Sequence, residues 1–428
     1  MYEADLKSLG SRIVPAWFDE AKFGIFIHWG LFSVPGFAPG GGNISDAFKQ
    51  DYDRAIVMVP YTEWYENAIK APDTPSAAFH LKNYGDAPYE AFANPFKEGL
   101  VHWNPAEWAR LFSQAGAKYV VMVVKHHDGY CLWPSNVKNL HRPGWNTQRD
   151  LVGELADAVR AQGLRFGIYY SGGIDWSFNR EPLLTLGDFI GSMPGGDYPA
   201  YALAQVRELI ARYRPSVLWN DISWPTGFSD LLRLFADYYN EVPDGVVNDR
   251  WPHAGLFTKL MRFSVVRRLF DRMVKRHIRK KPDTFDGIIP PVVPHSDFRT
   301  PEYVRNPRMG NKKWEATRGM SYSFGFNRND KPADYTPFET LLADFIDGVA
   351  HGGNLLLNVG PRADGHIPVE QLERLTKFGD WLRLNGEAIY GTVPHESPDA
   401  ETEDGLPVRV TRKGDVLNLI VLGTVSDP

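Results

Sequence analysis

Short apolar runs recur along the chain, and each one ends in polar side chains. The first reads Lys22-Phe-Gly-Ile-Phe-Ile-His28-Trp29-Gly30. The second reads Tyr119-Val-Val-Met-Val-Val-Lys125-His126-His127-Asp128-Gly129. Arg165-Phe-Gly-Ile-Tyr169-Tyr170-Ser171 and Ser216-Val-Leu-Trp219-Asn220-Asp221 follow, then the weaker Gly245-Val-Val-Asn248-Asp249-Arg250 and Asn354-Leu-Leu-Leu-Asn358-Val-Gly360. Continuous, β-branched runs of this length predict strands buried on both faces, hence a parallel sheet. Helical stretches lie between them: one opens at Asn104-Pro105 with a capping Asn and Pro in the first turn, and others span 150–160 and 201–213. Strand and helix alternating in this way predict a (β/α) barrel. A doubly wound open sheet is the rival, but no glycine-rich dinucleotide fingerprint follows the first strand. The polar residues gather at the C-terminal end of each run, the face where barrel enzymes build their active sites.

Three stretches break the alternation. Residues 36–100 read as a long, loop-rich excursion with Pro, Gly and aromatics, more often functional than idle at that length. Residues 259–281 are strongly basic with one acid, Asp271. Leu260, Met261, Phe263, Val266, Leu269, Phe270, Met273 and Ile278 place an apolar stripe on a helix there, opposite a solvated basic face. Contact with an anionic surface or another subunit is the sharper reading of that segment. The chain changes character near residue 392: an acidic linker, Pro398 to Gly405, precedes a hairpin signal, Val408 to Leu422 with a Lys413-Gly414-Asp415 turn. The predicted division is a catalytic barrel over 1–392 and, over 393–428, a linker with the start of a truncated or reduced β-sandwich.

Composition narrows the class. The net charge of −5 offers nothing to a phosphate backbone, so no nucleic-acid partner is expected. No apolar run approaches the ~20 residues of a membrane span, and the first residues lack a secretory h-region, so a cytoplasmic location is expected. Cys131 is the sole cysteine, which excludes an internal disulfide and a cysteine zinc cluster and reads as a buried thiol. The 13 tryptophans supply flat apolar faces of the kind that sugar C–H surfaces stack on.

Asp221 ends a buried strand, where an unpaired carboxylate is costly and a working one is expected. Glycosidases need one carboxylate as nucleophile and a second carboxyl as general acid. Asp221 is the nucleophile candidate, and Glu302, Glu315 and Glu63 compete for the acid, each beside aromatics that raise a carboxyl pKa. His28, His126 and His127 sit at strand ends as hydrogen-bonding groups for hydroxyls. Adjacent strand histidines point to opposite faces, so His126 and His127 are not expected to share a metal ion, and no metal is expected. Trp29, Trp64, Tyr169, Trp219 and Phe324 are candidate stacking walls. Arg250 could bond a hydroxyl or the acid, or simply pair with Asp249. The Gly352–Gly365 stretch lacks the Lys-Ser/Thr of a phosphate-binding loop and reads as the last barrel strand and its turn.

Taken in order, Phe23–Gly30, Lys125–Gly129, Phe166–Ser171, Trp219–Asp221, Lys313-Trp314-Glu315 and Asn354–Pro361 resemble the signature of α-L-fucosidases of glycoside hydrolase family twenty-nine, over residues 15–395. The resemblance implies an irregular (β/α)8-type TIM barrel followed by a C-terminal β-sandwich. It implies an exo-acting, cofactor-free and metal-free double displacement with retention, through a covalent fucosyl-enzyme. It assigns the nucleophile to Asp221 and the acid/base to Glu302. Its sugar contacts fall on His28, Trp64, His126, His127, Tyr169, Trp219 and Arg250, with Glu63 near the site and an aromatic contact at Phe324. The implied partners are a fucosylated oligosaccharide or glycoconjugate and, less directly, further copies of the chain in a homo-oligomer. A galactoside-directed retaining glycosidase, a silent fucose-binding protein and a metal-dependent barrel hydrolase remain as alternatives. Three departures stand out: Ile222 where relatives often carry Gly after the nucleophile, the basic insertion 259–281, and the shortened β-sandwich.

Overall fold

The computed structural model describes residues 1–423 apart from 41, 282–286, 305, 306, 308 and 311. The six apolar runs form parallel strands: β1 (Phe23–Ile27), β2 (Tyr119–Lys125), β3 (Arg165–Ser171), β4 (Val217–Asp221), β5 (Val246–Val247) and β7 (Gly353–Val359). A further strand, β6 (Trp314–Arg318), lies in a stretch where Glu315, Thr317 and Arg318 leave no continuous apolar run. The sheet order is β5-β4-β3-β2-β1-β7-β6. Neighbours run in register, as in Ile25 opposite both Val120 and Leu357. The sheet curls as in a barrel but does not close between β5 and β6.

Each strand is apolar throughout because both its faces are covered. On β2, Val120, Met122 and Val124 pack outward into the helix-covered core with Trp108, Phe112 and Leu155. Tyr119, Val121 and Val123 pack inward with Phe26, Tyr169, Val217, Trp219, Val246 and Leu356. The expected helices form at Pro105–Gln114, Leu151–Ala161 and Tyr198–Tyr213, the first capped by the Asn104 side chain with Pro at its start.

Three expectations need correction. Residues 36–100 are not mainly loop: they carry helices at Ile44–Gln50, Tyr65–Ala68, Pro75–Tyr84 and Ala93–Gly99, with 3-10 segments at Tyr52–Val57, Thr62–Trp64 and Tyr89–Phe92 between them. These elements are too short for a periodic pattern, and Phe48, Tyr52, Ile56 and Trp64 hold them by tertiary packing on Trp176 and Leu183. The first half of the acidic stretch before the hairpin, 398–401, is strand. β8 (Val393–Glu401) pairs antiparallel with β9 (Pro407–Lys413), and β10 (Val416–Val421) completes a three-stranded sheet. Being a sheet-edge strand, β8 needs little apolar content; Arg409 bonds Asp347 at 2.5 Å and Asp399 at 3.2 Å, tying this sheet to the helix Phe338–Ala350. Finally, 259–281 folds as two helices, Leu256–Leu260 and Ser264–Lys280, but most of the apolar stripe does not face inward. Met261 and Ile278 are buried, whereas Leu260, Phe263, Leu269 and Met273 are exposed. No helix among the described residues is long and apolar enough to cross a membrane.

Candidate active site

The C-terminal ends of the strands converge on one cavity of about 400 Å³. Its lining includes His28 just beyond β1, His126 and His127 just beyond β2, Tyr169 on β3, Trp219 and Asp221 on β4, and Arg250 just beyond β5. Glu63 and Trp64 enter from the 36–100 excursion, Glu302 from the seam between β5 and β6, and Phe324 from the segment after β6. The two carboxyls and nine contact residues that the resemblance assigns therefore line one cavity, whereas Glu315 and Trp29 do not.

Asp221 is held from three sides. The Tyr169 hydroxyl donates to its Oδ2 at 2.8 Å, the Ile222 N–H to its Oδ1 at 2.9 Å, and Arg250 to the same oxygen at 3.0 Å. Arg250 extends its other terminal nitrogen to Glu302 at 2.8 Å, so one guanidinium spans both carboxyls. Burial alone would lower the arginine pKa, but Glu302 and Asp221 hold it above its ordinary value. Burial and the nearby Asp221 charge push the Glu302 carboxyl up, against the downward pull of Arg250. The guanidinium also lies over the Trp219 ring, 4.9 Å from its centroid.

The three imidazoles are neutral. Burial pushes His28 down to about 3 and His127 to about 4, and drives His126 well below the usual histidine value. Their tautomers follow from their partners. Asn358 donates through its amide nitrogen to the Phe324 carbonyl at 2.6 Å, which turns its Oδ1 to His28 Nδ1 at 2.6 Å. His28 thus donates from Nδ1 and keeps Nε2 as an acceptor. The Ser171 hydroxyl spends its proton on the Ile174 carbonyl at 2.7 Å and accepts from His127 Nδ1 at 2.6 Å, so His127 Nε2 is likewise an acceptor. Two acceptor nitrogens beside aromatic walls suit a ligand that offers hydroxyl protons and C–H faces. Phe324 stands 4.9 Å from the His28 ring, and Trp64 meets His127 edge-on at 5.0 Å.

Several sequence expectations are revised here. His126 and His127 do not diverge: β2 ends at Lys125, the alternation lapses, and their rings lie 4.1 Å apart in one cavity. Glu315 is no acid candidate. It lies beneath the floor, does not line the cavity, and accepts from the Tyr119 hydroxyl and, at 3.3 Å, from Trp219. Glu63 does line the cavity, but its carboxylate accepts the Gly325 N–H at 3.0 Å rather than reaching Arg250, and burial raises it to about 7. Trp29 is no wall; it packs in the core among Phe96, Trp103 and Trp108. Asp249 is not the partner of Arg250: it bonds Arg299 at 2.5 Å and Thr300 at 2.7 Å. Thr300 in turn takes the Arg250 Nε–H at 3.1 Å. Cys131 is buried, its thiol pushed up to about 12 by burial.

The residues missed in the sequence are the positioning ones, Asn358, Ser171 and Thr300. The first two lay at strand ends, where polarity was the available signal; Thr300 carried none. Ile222 lines the cavity with φ at +70°. A β-branched residue in that left-handed region costs on the order of 1–3 kcal/mol, which the surrounding site must offset. Among the described residues, the one grouping of histidine and carboxylates close enough to share a cation is Asp347, His351 and Asp399, none of which lines the cavity. Arg409 already lies across its two carboxylates.

Known proteins share this arrangement of sequence and fold. The family model described as alpha-L-fucosidase matches residues 1–387. The tissue alpha-L-fucosidase of Bos taurus is 34% identical over 408 residues, covering 92% of this chain and 72% of the bovine protein. The alpha-L-fucosidase of Branchiostoma floridae is 35% identical over 98% of this chain and 82% of its own length. A crystal structure of Thermotoga maritima alpha-fucosidase in complex with fucose superposes with a TM-score of 0.82 at 43% identity, over 100% of this chain and 87% of that one. A structure of the same enzyme with a mechanism based inhibitor gives 0.81 at 43% identity, over 99% and 86%. On that match over nearly its whole length, this chain belongs to the α-L-fucosidase family.

Proposed function

We propose that this protein is an exo-acting, retaining α-L-fucosidase in which Asp221 is the nucleophile and Glu302 the acid/base. The reading rests above all on one feature: both carboxyls are gripped by the same Arg250 guanidinium in a cavity walled by neutral imidazoles and aromatic rings. Retention requires the two carboxyls about 5–5.5 Å apart, on opposite sides of the scissile bond. Asp221 attacks the anomeric carbon while protonated Glu302 delivers its proton to the leaving oxygen. Once Asp221 is esterified, its negative charge is gone, and with it one of the influences that raised the Glu302 pKa. Glu302 then deprotonates the incoming water, which attacks the ester and frees fucose. The acceptor nitrogens of His28 and His127 accept hydrogen bonds from ring hydroxyls. Aromatic surface from Phe26, Trp219 and Phe324 suits a 6-deoxy sugar, whose methyl needs no hydrogen-bonding partner. The substrate class is therefore a fucosylated oligosaccharide or glycoconjugate rather than a galactoside.

Two structural readings accompany this one. The segment 297–302 bonds Val247 at one end and Lys313, Glu315 and Thr317, in or just before β6, and we read it as the eighth barrel strand in irregular form. Residues 1–392 then form the catalytic unit, with the β8–β10 sheet standing where relatives build a β-sandwich.

The test is hydrolysis of aryl α-L-fucosides by Asp221→Ala, beside matched galactosides for the parent. A loss of at least about 10⁴-fold on the fucoside is expected, a barrier rise of about 5 kcal/mol. Activity within tenfold of the parent removes Asp221 from the chemistry. A parent that prefers the galactoside removes fucose.

A further inference from the structure

The helix Ser264–Lys280 and the short helix before it carry a face that the fold does not use. Residues 256–281 hold ten lysines and arginines against one acid, in a chain whose net charge is −5. The inward face is well partnered. Ile278 is buried among the residues that back the cavity, and Asp271 accepts from Tyr52, Thr185 and the Gly187 N–H. Arg267 pairs with Asp188, and Lys275 with Asp53.

The outward face is different. At 100° per residue, Arg268, Arg279, Arg272, Val265, Arg276, Leu269, Lys280 and Met273 follow one another across a single arc of this helix. The five cations among them form no ion pair among the described residues. Phe263 and Met273 are each 64% exposed, Leu269 54% and Phe257 56%. A solvated basic face has no need of these apolar groups, and a buried apolar face would not interleave them with arginine. Interleaving suits a helix lying in a bilayer interface, where apolar side chains enter the acyl boundary and arginines hold the headgroup phosphates.

We infer that the 256–280 helical pair is a docking surface for an anionic lipid bilayer. Charge complementarity selects this occupant. The segment is basic while the rest of the chain is net acidic, so an anionic surface is attracted to this segment and not to the remainder taken as a whole. The inference does not depend on the fucosidase reading. It does carry a consequence for it: the helix packs against the helices Leu186–Gly191 and Ile44–Gln50, whose Leu186, Phe189, Ile44 and Phe48 line the cavity, so docking would bring the site close to membrane-borne glycosides.

The test is co-sedimentation of the whole protein with vesicles of phosphatidylcholine alone and with about one third phosphatidylserine. Binding is expected only to the anionic vesicles, weakening as salt is raised. The triple variant R268Q/R272Q/R276Q should bind about a hundredfold more weakly, at ~1 kcal/mol per basic residue near the surface. L269S/M273S should also bind more weakly, with hydrolysis of a soluble aryl fucoside unchanged in both variants. Three results would overturn the inference: no partition onto anionic vesicles, binding that survives both variants, or loss in the arginine variant alone, which marks a purely electrostatic polyanion site. A dimer that L269S/M273S dissociates, without any vesicle binding, would assign the face to a second copy instead.

Discussion

Replacing Arg250 with Ala removes the cation that, among the described residues, the two carboxyls share. In the parent its terminal nitrogens lie 3.0 Å from Asp221 and 2.8 Å from Glu302, and its Nε is held by Thr300 at 3.1 Å. All three side chains are largely buried, so little water stands ready to replace the lost bonds. Deleting one member of such a buried charged cluster costs about 3–5 kcal/mol, because the remaining charges stay buried and unpaired. Part of that falls on folding and part on the transition state. A barrier rise of about 3–4 kcal/mol gives a 10²–10³-fold drop in kcat/KM on an aryl α-L-fucoside. The pH profile carries the sharper signature. Arg250 pulls the Glu302 pKa down while burial and Asp221 push it up, so losing the arginine lets Glu302 keep its proton to higher pH. The alkaline limb, where the acid form is lost, should therefore move upward. Added guanidinium ion should restore part of the rate, and Arg250→Lys should fall between, since an ammonium cannot span both carboxyls. Activity within tenfold of the parent, or an alkaline limb displaced downward, would refute the account.

Two further outcomes follow from the surrounding shell. Glu315 is fully buried, and burial raises it from 4.5 to about 7, against the downward pull of its bonds from Tyr119 and Trp219. The unfolded carboxyl ionises first on raising the pH, so this group's contribution to stability is complete below about pH 4.5 and is lost as pH rises through about 7. Glu315→Gln should thus be near neutral in urea unfolding at pH 5 and stabilising by about 1–3 kcal/mol at pH 8; a difference that does not vary with pH would contradict the burial argument. Ser171→Ala strips the acceptor that fixes the His127 tautomer and should cost about 1–1.5 kcal/mol of substrate binding. The expected signature is KM raised about tenfold with kcat changed less, and a fall in kcat at constant KM would show that His127 acts in the chemistry instead.

The strands that build the cavity were readable because parallel strands buried on both faces leave continuous apolar runs, and because polar residues at one end of each run mark one face of the sheet. β6 escaped because two of its buried positions are polar, Glu315 and Thr317, and with Arg318 they gave it the look of a polar loop. The apolar stripe of 259–281 misled in the opposite direction. Periodicity shows that a helix has a face, but not that the rest of the molecule covers it. The convergence of His126 and His127 could not be read from β-alternation, because both lie past Lys125, where their strand ends.

The choice among three glutamates was the hardest to read, and the open seam explains why. Asp249 and Arg250 follow β5, and only Arg250 lines the cavity, although both bond the Thr300 hydroxyl. Asp249 fastens the seam by taking bonds from Arg299 and from both the N–H and the hydroxyl of Thr300. Arg250 turns into the cavity and takes Glu302, two residues beyond the Thr300 that its neighbour has just fixed. The seam segment also bonds β6, as the Glu302 pairing opposite Thr317 records. The reach of the acid is therefore set by two consecutive residues on one side and by a strand on the other, distant from it in different ways along the chain. A neighbouring aromatic was shared by Glu63, Glu302 and Glu315 alike. What separates them is which one the arginine can hold while it also holds Asp221, and that is a property of the closed-up geometry rather than of any one segment.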